Sequence, residues 1–221
     1  AFVVEGFAVR TPGQHLLDRF LMGYPKDGTW HRLANCRISV SSAGDKENPG
    51  LRQRAKDFGL ETSLDLRQAL AGADGVVVVG QGAEVSPKET LLREVLEIIP
   101  RETPCFVYGT LSTSLDRARK LEKLSSSRGV LLTAGTPLGV TWRLPAVDVP
   151  RGTPVKEALI VVQGKSPAAE LDGLEGLLPV IERRKGGESG VRSVQLFKGE
   201  DLWRAGAEGK WSWPLLAAAL S

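Results

Sequence analysis

The chain has 221 residues, of which 42% are hydrophobic and 25% charged, the ordinary balance of a globular protein of one large or two small domains. Its net charge is only +3, and basic residues alternate with acidic ones along the predicted helices, so no nucleic-acid partner is expected. The sequence contains no apolar run long enough to span a bilayer, and its first residues lack the features of a signal peptide. We therefore expect a soluble, cytoplasmic protein with no membrane partner.

The two cysteines, Cys36 and Cys105, do not have the spacing of a zinc site or of a secreted disulfide framework. Each enters a segment that reads as a buried strand, so we predict two buried, reduced thiols. No metal is expected.

In chain order, residues 2–9 form the first predicted strand, and a break at Pro12-Gly13 leads into an amphipathic helix. A loop rich in Gly, Pro and aromatic residues follows over residues 23–31, a composition typical of a site rim or an interface. The second strand is predicted over residues 36–41.

Two helices are predicted next, over residues 48–58 and 63–70, the second with Ser63 as its N-cap. Four valines between glycines at residues 75–80 are the clearest strand, and they are apolar on both faces, so helices should cover both sides. The alternation continues with a helix, a strand, a helix and a strand, beginning near residues 86, 105, 114 and 130. This pattern predicts an α/β fold with a doubly wound, Rossmann-like parallel sheet.

After residue 145 the alternation breaks. We predict a Rossmann-like, nucleotide-binding-type domain over residues 1–145 and a short α+β domain over residues 146–221, which serves dimerisation or the substrate side. The second domain is predicted to contain a strand, a helix and a strand at residues 158–163, 170–184 and 191–197. Trp203, Trp211 and Trp213 would form an apolar patch if exposed, so we expect them to cover a core or a homodimer interface.

The order of residues from Ala55 through Gly59, Asp65 and Asp74 to Val79 resembles the sequence pattern of the Gfo/Idh/MocA family. Further segments resemble the helix after that family's Glu-Lys-Pro motif and its exit from the first domain, at residues 111–121 and 135–145. The likeness covers about two thirds of the chain. It implies an oxidoreductase that acts on sugars, polyols or their derivatives with NAD or NADP as cofactor.

The positions that carry this chemistry depart from the family. In place of the GxGxxG that brings backbone N–H groups to a pyrophosphate, the chain reads Gly6-Phe-Ala-Val-Arg10-Thr-Pro-Gly13. The second strand ends in serines rather than in an acid for the ribose. The segment Tyr108-Gly109-Thr110 stands where the family has Glu-Lys-Pro, so this segment supplies no amine. Asp172 and Glu175 lie where the family's second-domain histidine is expected.

Because ligands of open α/β sheets bind at the carboxyl ends of the strands, residues at those ends are the candidates for cofactor binding. They are Arg10, Thr11, Gly13, Ser41, Gln81, Gly109 and Thr110, and Ser42 lies at the same edge. Trp142 and Arg143 are a candidate stacking and anion-binding pair for substrate, although linker packing explains them equally well. His15 and His31 are the only histidines and hence the candidates for catalytic acid or base.

Three hypotheses follow. The chain is a divergent Gfo/Idh/MocA-like protein that kept the scaffold without the usual catalytic residues, or a non-catalytic small-molecule-binding or assembly module. The third hypothesis is an active NAD(P)-dependent oxidoreductase that uses His15 or His31.

Overall fold

The computed structural model describes residues 1–42, 48–80, 86–140, 144, 148–163 and 167–221. The chain divides into two compact units, Ala1–Gly135 and Thr136–Ser221. The boundary lies between residues 135 and 136, whereas the sequence pattern places it after residue 145.

The first unit alternates strands and helices, as predicted. Its elements are β1 Phe2–Val4, α1 Pro12–Met22, β2 Tyr24–Lys26, β3 Thr29–His31, β4 Ser39–Ser42, α2 Pro49–Phe58, β5 Glu61–Ser63, α3 Leu66–Leu70, β6 Val76–Val79, α4 Ser86–Ile98, β7 Pro104–Tyr108, α5 Leu115–Arg128 and β8 Leu131–Gly135.

The main sheet has six parallel strands in the order β5-β4-β1-β6-β7-β8, and β2 and β3 form a separate antiparallel hairpin. From β1 the chain moves outward to β4 and β5, then returns to β6 on the other side of β1. This is the doubly wound order of Rossmann folds, so the predicted fold class is confirmed. The change of direction lies between β1 and β6.

Both faces of the central strands are buried, which is why these strands read as continuous apolar runs. On one face Val3 and Val78 pack in a cluster with α4 residues such as Leu92. On the other, Val4 packs in a cluster that includes Leu17 of α1. All five side chains are fully buried. The prediction that helices cover both sides of the valine strand is thus confirmed.

Several local predictions are wrong. The first strand ends at Val4 rather than at residue 9, because the chain then turns into the loop before α1. Cys36 is exposed and precedes β4, so only Cys105 is the buried thiol expected. Ser63 is the last residue of a short strand, β5. The N-cap of α3 is Asp65, whose carboxylate accepts the N–H groups of the first turn.

The second unit contains a 3₁₀ turn at Pro137–Val140 and three helices, α6 Pro167–Ile181, α7 Glu200–Ala207 and α8 Trp213–Leu220. Helix α6 overlaps the predicted helix. The strands predicted over 158–163 and 191–197 do not form. These residues have no ladder partner in the described part of the chain, and apolar side chains there, such as Val161 and Val194, are exposed. Among the residues described, no helix has both the length and the hydropathy needed to cross a bilayer.

Candidate functional site at the carboxyl edge of the sheet

The loop between β1 and α1 lies at the change of direction in the sheet. Its exit from β1 is tied to the neighbouring strand, because the Glu5 N–H donates to the Val79 carbonyl at 3.0 Å. Thr11 is the N-cap of α1, but its hydroxyl donates to the Ala8 carbonyl at 2.7 Å and makes no cap bond to the helix. The positive end of the α1 dipole therefore faces this loop without a side-chain cap or an acidic residue in the first turn.

Two residues shape the loop itself. Arg10 adopts a φ of 68°, a left-handed conformation that costs a non-glycine residue about 1 kcal/mol, and its N–H donates to the Gln14 side chain at 2.5 Å. Gly13 lies against the end of β1: a Cβ there would be 3.5 Å from Val4 Cγ1. The first turn of α1 thus packs closely on the sheet.

Lys88 brings an amine to the ends of β6 and β7. This residue is in the first turn of α4 and only 8% exposed. Its Nζ donates to the Tyr108 carbonyl at 3.3 Å and to the Thr110 carbonyl at 2.5 Å. Gly80 makes room for its stem, since a Cβ on that glycine would lie 2.7 Å from Lys88 Cδ. We call Glu5, Lys88 and the Tyr108–Thr110 segment the amine cluster.

Within the amine cluster, burial is the largest influence on the pKa of Lys88. Loss of hydration disfavours the ammonium and lowers the pKa of Lys88, while the carboxylates of Glu5 and Glu89 oppose that shift. Glu89 itself lies near Arg117 of α5, with 3.4 Å between the guanidinium Nε and a carboxylate oxygen. Gly109, with φ 79°, lets β7 turn so that both carbonyls point at the amine.

Helix α2 braces the β1–α1 loop from the side. Arg54 contacts Asp18 of α1 through two hydrogen bonds, Nε to Oδ1 at 2.5 Å and an Nη to Oδ2 at 2.7 Å, and its guanidinium lies 5.0 Å above the Phe7 ring. Asn48 donates to the Phe7 carbonyl. Burial alone would raise the pKa of Asp18, but the hydrogen bonds from Arg54 and Gln14 outweigh it and lower the pKa.

A cavity of about 80 Å³ lies beyond the carboxyl ends of β4 and β5. We call it the β4–β5 cavity, and its described lining residues are Val40, Ser42, Asn48, Leu51, Arg52, Thr62, Ser63 and Leu64. Ser42 is 4% exposed, and its hydroxyl has no hydrogen-bond partner among the described residues. The side-chain Oδ1 of Asn48 accepts hydrogen bonds from the N–H groups of Gly50 and Leu51, so this side chain caps α2.

The structure places part of the predicted set together. Arg10, Thr11 and Gly13 lie on the β1–α1 loop and the start of α1, and Gly109 and Thr110 lie in the amine cluster. Ser41 is buried inside the sheet, where it pairs with Val3 and Ser63, so Ser42 is the serine that reaches the edge. Gln81, Trp142 and Arg143 lie outside the described residues.

The two histidines are apart from each other. His15 is exposed on the first turns of α1, at the carboxyl edge. His31 is exposed on the β2–β3 hairpin, which follows the end of α1 and precedes the start of β4, and hence lies at the opposite, amino edge. It stacks on Tyr24 with ring centroids 5.9 Å apart and hydrogen-bonds Thr29 at 3.0 Å.

In the second unit, Asp172 and Glu175 share α6. Glu175 accepts hydrogen bonds from the Thr136 backbone N–H and hydroxyl, both at 2.6 Å. Burial, aided by the charge of Glu175, raises the pKa of Asp172. Glu175 therefore ties α6 to the residue that precedes the 3₁₀ turn.

Sequence reasoning missed Lys88 and Arg52. The signal for Lys88 was present: it lies three, four and seven residues before Leu91, Leu92 and Val95, and so falls on the buried face of α4. A lysine on an apolar stripe either extends its amine to water or brings it to a buried acceptor. Arg52, which lines the β4–β5 cavity, gave no signal, because its place there depends on where the N-terminus of α2 lies relative to β4 and β5.

Comparison of the chain with protein-family models, with curated proteins and with solved structures found no match. The class of protein is therefore defined by the fold, a Rossmann-like α/β protein. In the part of the chain that the structure describes, no three His, Cys, Asp or Glu side chains come together as a metal site.

Proposed function

We propose that the protein binds a nicotinamide dinucleotide, NAD or NADP, in the crevice beyond the carboxyl ends of β1 and β6. The observation that carries this proposal is the strand order β5-β4-β1-β6-β7-β8. In sheets of this topology, connections leave the two central strands in opposite directions, and the crevice that opens between them is where dinucleotides bind.

The residues around this crevice support a phosphate-bearing ligand. The N-terminus of α1 points there and carries no acidic residue in its first turn, which favours the pyrophosphate of a dinucleotide. Gly13, without a Cβ, lets the helix approach the end of β1 closely. Ala8 and Arg10 carry side chains where glycines usually lie, but both are exposed, so they border the ligand path without filling the crevice.

We propose further that the protein is an oxidoreductase of the Gfo/Idh/MocA type, acting on a sugar, a polyol or a related carbonyl compound. The bound dinucleotide would supply or accept the hydride. Lys88 would hold the substrate oxygen, because its amine reaches the carbonyls of the same Tyr108–Thr110 segment that stands in the place of Glu-Lys-Pro. Its lowered pKa suits a group that shares a proton with a substrate oxygen.

A second candidate function is a non-catalytic binding module. The observation that favours it is that two of the three N–H donors of Lys88 are directed at backbone carbonyls. A lysine used in this way can serve as a brace between α4 and β7 with no role in chemistry. The two candidates differ in whether removal of the amine abolishes turnover or only loosens the fold.

Thermal-shift titration of the purified chain with NAD, NADH, NADP and NADPH tests dinucleotide binding. A ligand that binds only the folded state adds about 2.7 kcal/mol of stability at a concentration a hundred times its Kd, which raises the melting temperature by several degrees. The matched variant is Ala8→Glu, which places a carboxylate on the exposed loop at the N-terminus of α1. It should abolish the shift but leave the melting temperature of the free protein unchanged.

Absence of any saturable shift with all four nucleotides would refute the dinucleotide proposal. If binding is found, Lys88→Met separates the two candidate functions. An oxidoreductase should lose turnover of reduced nicotinamide with a panel of sugars and polyols while still binding dinucleotide, whereas a binding module should show no turnover in either protein. Lys120→Met, an exposed lysine on α5, is the matched control.

A further inference from the structure

We propose that a groove at the amino edge of the sheet binds a carboxylic acid with an apolar tail. We call it the amino-edge groove. It is formed by the ends of α1 and α2 and by residues 33–38, which lead into β4. All strands of the main sheet are parallel, so this edge is opposite the crevice of the proposed function. The inference therefore does not depend on dinucleotide binding.

The amino-edge groove has the size of a small-molecule site. Its volume is about 570 Å³, within the range of roughly 300–1,000 Å³ that such sites have. The lining residues come from two helix ends and from the segment before β4, so they are brought together by the fold and are not neighbours in sequence. A ligand there would contact several elements of the first unit at once.

One part of the groove is apolar. Its described lining includes six apolar side chains, Phe20, Leu21, Leu33, Ile38, Phe58 and Leu60. Ile38 is 7% exposed and belongs to the core cluster that contains Val4, so the groove reaches the core of the first unit. Leu33 and Phe58 are each 42% exposed. A ligand tail that covers these two side chains removes apolar surface from water, which favours binding.

The polar side chains of the groove come from the short stretch Asn35, Cys36 and Arg37. Among the described lining residues, Arg37 alone is charged. Its Nε lies 3.9 Å from a carboxylate oxygen of Glu61, too far for a hydrogen bond, and both side chains are mostly exposed. Exposed pairs of this kind are weak, so the guanidinium is available to a ligand carboxylate, which it can bind through two parallel hydrogen bonds.

The segment that carries these polar groups is held at both ends. Before it, the Trp30 indole N–H donates to the Met22 carbonyl at 2.8 Å, which fixes the β2–β3 hairpin on the end of α1. Gly23, with φ 96°, allows this contact, since a Cβ there would collide with the hairpin backbone at His31. After it, β4 pairs with β1 and β5. The groove is therefore shaped before a ligand arrives, which lowers the ordering cost of binding.

These features together select one class of ligand. A cation with an apolar tail would face the charge of Arg37, and a neutral apolar molecule would leave that charge unused. A sugar would leave Leu33 and Phe58 uncovered. A single carboxylate at Arg37 and Asn35, with an apolar tail along Leu33 and Phe58, satisfies both parts of the groove.

The test is calorimetric titration of the full chain with octanoate, octanol and octylamine, which share a tail and differ in the charge of the head. Octanoate should bind most tightly. Arg37→Gln should weaken octanoate roughly five- to thirtyfold, the effect of a charge-assisted hydrogen bond, and leave octanol unchanged within about twofold. Arg93→Gln, which removes an exposed arginine on α4, should leave all three affinities unchanged.

Cys36 gives a second readout that is specific to this place. Its exposed thiol lines the groove, and the other thiol of the chain, Cys105, is buried. Saturating octanoate should slow the reaction of Cys36 with iodoacetamide at least about fivefold, because the bound ligand blocks access to the thiol. Leu33→Ser, in the exposed segment before β4, should weaken octanoate and octanol alike.

Four results would each overturn the inference. They are the absence of octanoate binding at millimolar concentration, an affinity for octanoate no greater than that for octanol or octylamine, octanoate binding that Arg37→Gln does not weaken, and octanoate binding that leaves Cys36 fully reactive. The second result would show apolar adsorption without recognition of the carboxylate. The last two would place the ligand elsewhere on the protein.

Discussion

Replacing Asp18 by asparagine should destabilise the first unit by about 2 kcal/mol near pH 7. Asp18 and Arg54 form a two-contact ion pair between α1 and α2, and their side chains are only 13% and 18% exposed. Exposed ion pairs contribute about 0.2–1 kcal/mol, and breaking a fully buried one costs about 3–5 kcal/mol, so this pair should lie between these ranges. Asparagine keeps the size and one acceptor but removes the charge.

The pH dependence gives the sharper check. Because the pKa of Asp18 is lowered in the folded state, the pair stabilises fully above the unfolded value of about 4, and its contribution is lost as pH falls through the folded pKa. Urea unfolding followed by circular dichroism should therefore show a large difference between wild type and Asp18→Asn near pH 7, and this difference should shrink as the pH is lowered below the unfolded value of about 4. Asp57→Asn, an exposed carboxylate on α2, should cost less than about 0.5 kcal/mol. A difference for Asp18→Asn that is equally small, or that does not change with pH, would refute the reasoning.

Two further predictions concern close packing and thiol chemistry. Gly80→Ala should cost about 1–3 kcal/mol in urea unfolding, because its Cβ would lie 2.7 Å from Lys88 Cδ, whereas Gly75→Ala meets nothing closer than 3.6 Å and should cost less. In the folded protein a thiol reagent should modify Cys36 alone: burial raises the pKa of Cys105 to about 12, and Cys36 is exposed. Rapid modification of both thiols before denaturation would contradict the buried position of Cys105.

The sheet of the first unit was largely predictable, because its central strands are short apolar runs bounded by glycines and helix caps. Val76–Val79 is the clearest case. Outside this sheet, the loop predicted over residues 23–31 contains the β2–β3 hairpin. Within the sheet, the pattern missed Glu61–Ser63, a three-residue edge strand that pairs only with β4 and exposes most of its side chains. Such a strand has neither the apolar run nor the alternation by which strands are read from sequence.

In the second unit the error is the opposite one, because strands were predicted that do not form. Residues 158–163 and 191–197 have the composition of strands, yet a strand exists only if its backbone finds a partner, and pairing is non-local information that composition does not contain. In the described residues of this unit, the regular structure is helical. Trp203, Trp211 and Trp213, predicted to cover a core or an interface, pack on one another, with ring centroids 4.5 to 6.1 Å apart.

The candidate site, too, was predictable only in part. Topology made the carboxyl edge predictable, and with it the β1–α1 loop, Ser42 and the Tyr108–Thr110 segment. The resemblance to the Gfo/Idh/MocA family indicated only that this segment itself contains no amine. Lys88 reaches the same carbonyls from α4, twenty residues earlier in the chain. Side chains that arrive from another element are set by packing, which a single sequence does not reveal.

The two groups of polar residues at the carboxyl edge lie on opposite sides of the change of strand direction. The β4–β5 cavity belongs to the strands on one side, and the amine cluster is built mainly from β7 and α4 on the other. In the proposed function the dinucleotide occupies the crevice between β1 and β6, and Lys88 of the amine cluster holds the substrate beside it. Lys88→Met should therefore lower turnover and leave the affinity for the dinucleotide unchanged. A loss of dinucleotide affinity in this variant would contradict the separation of the two roles.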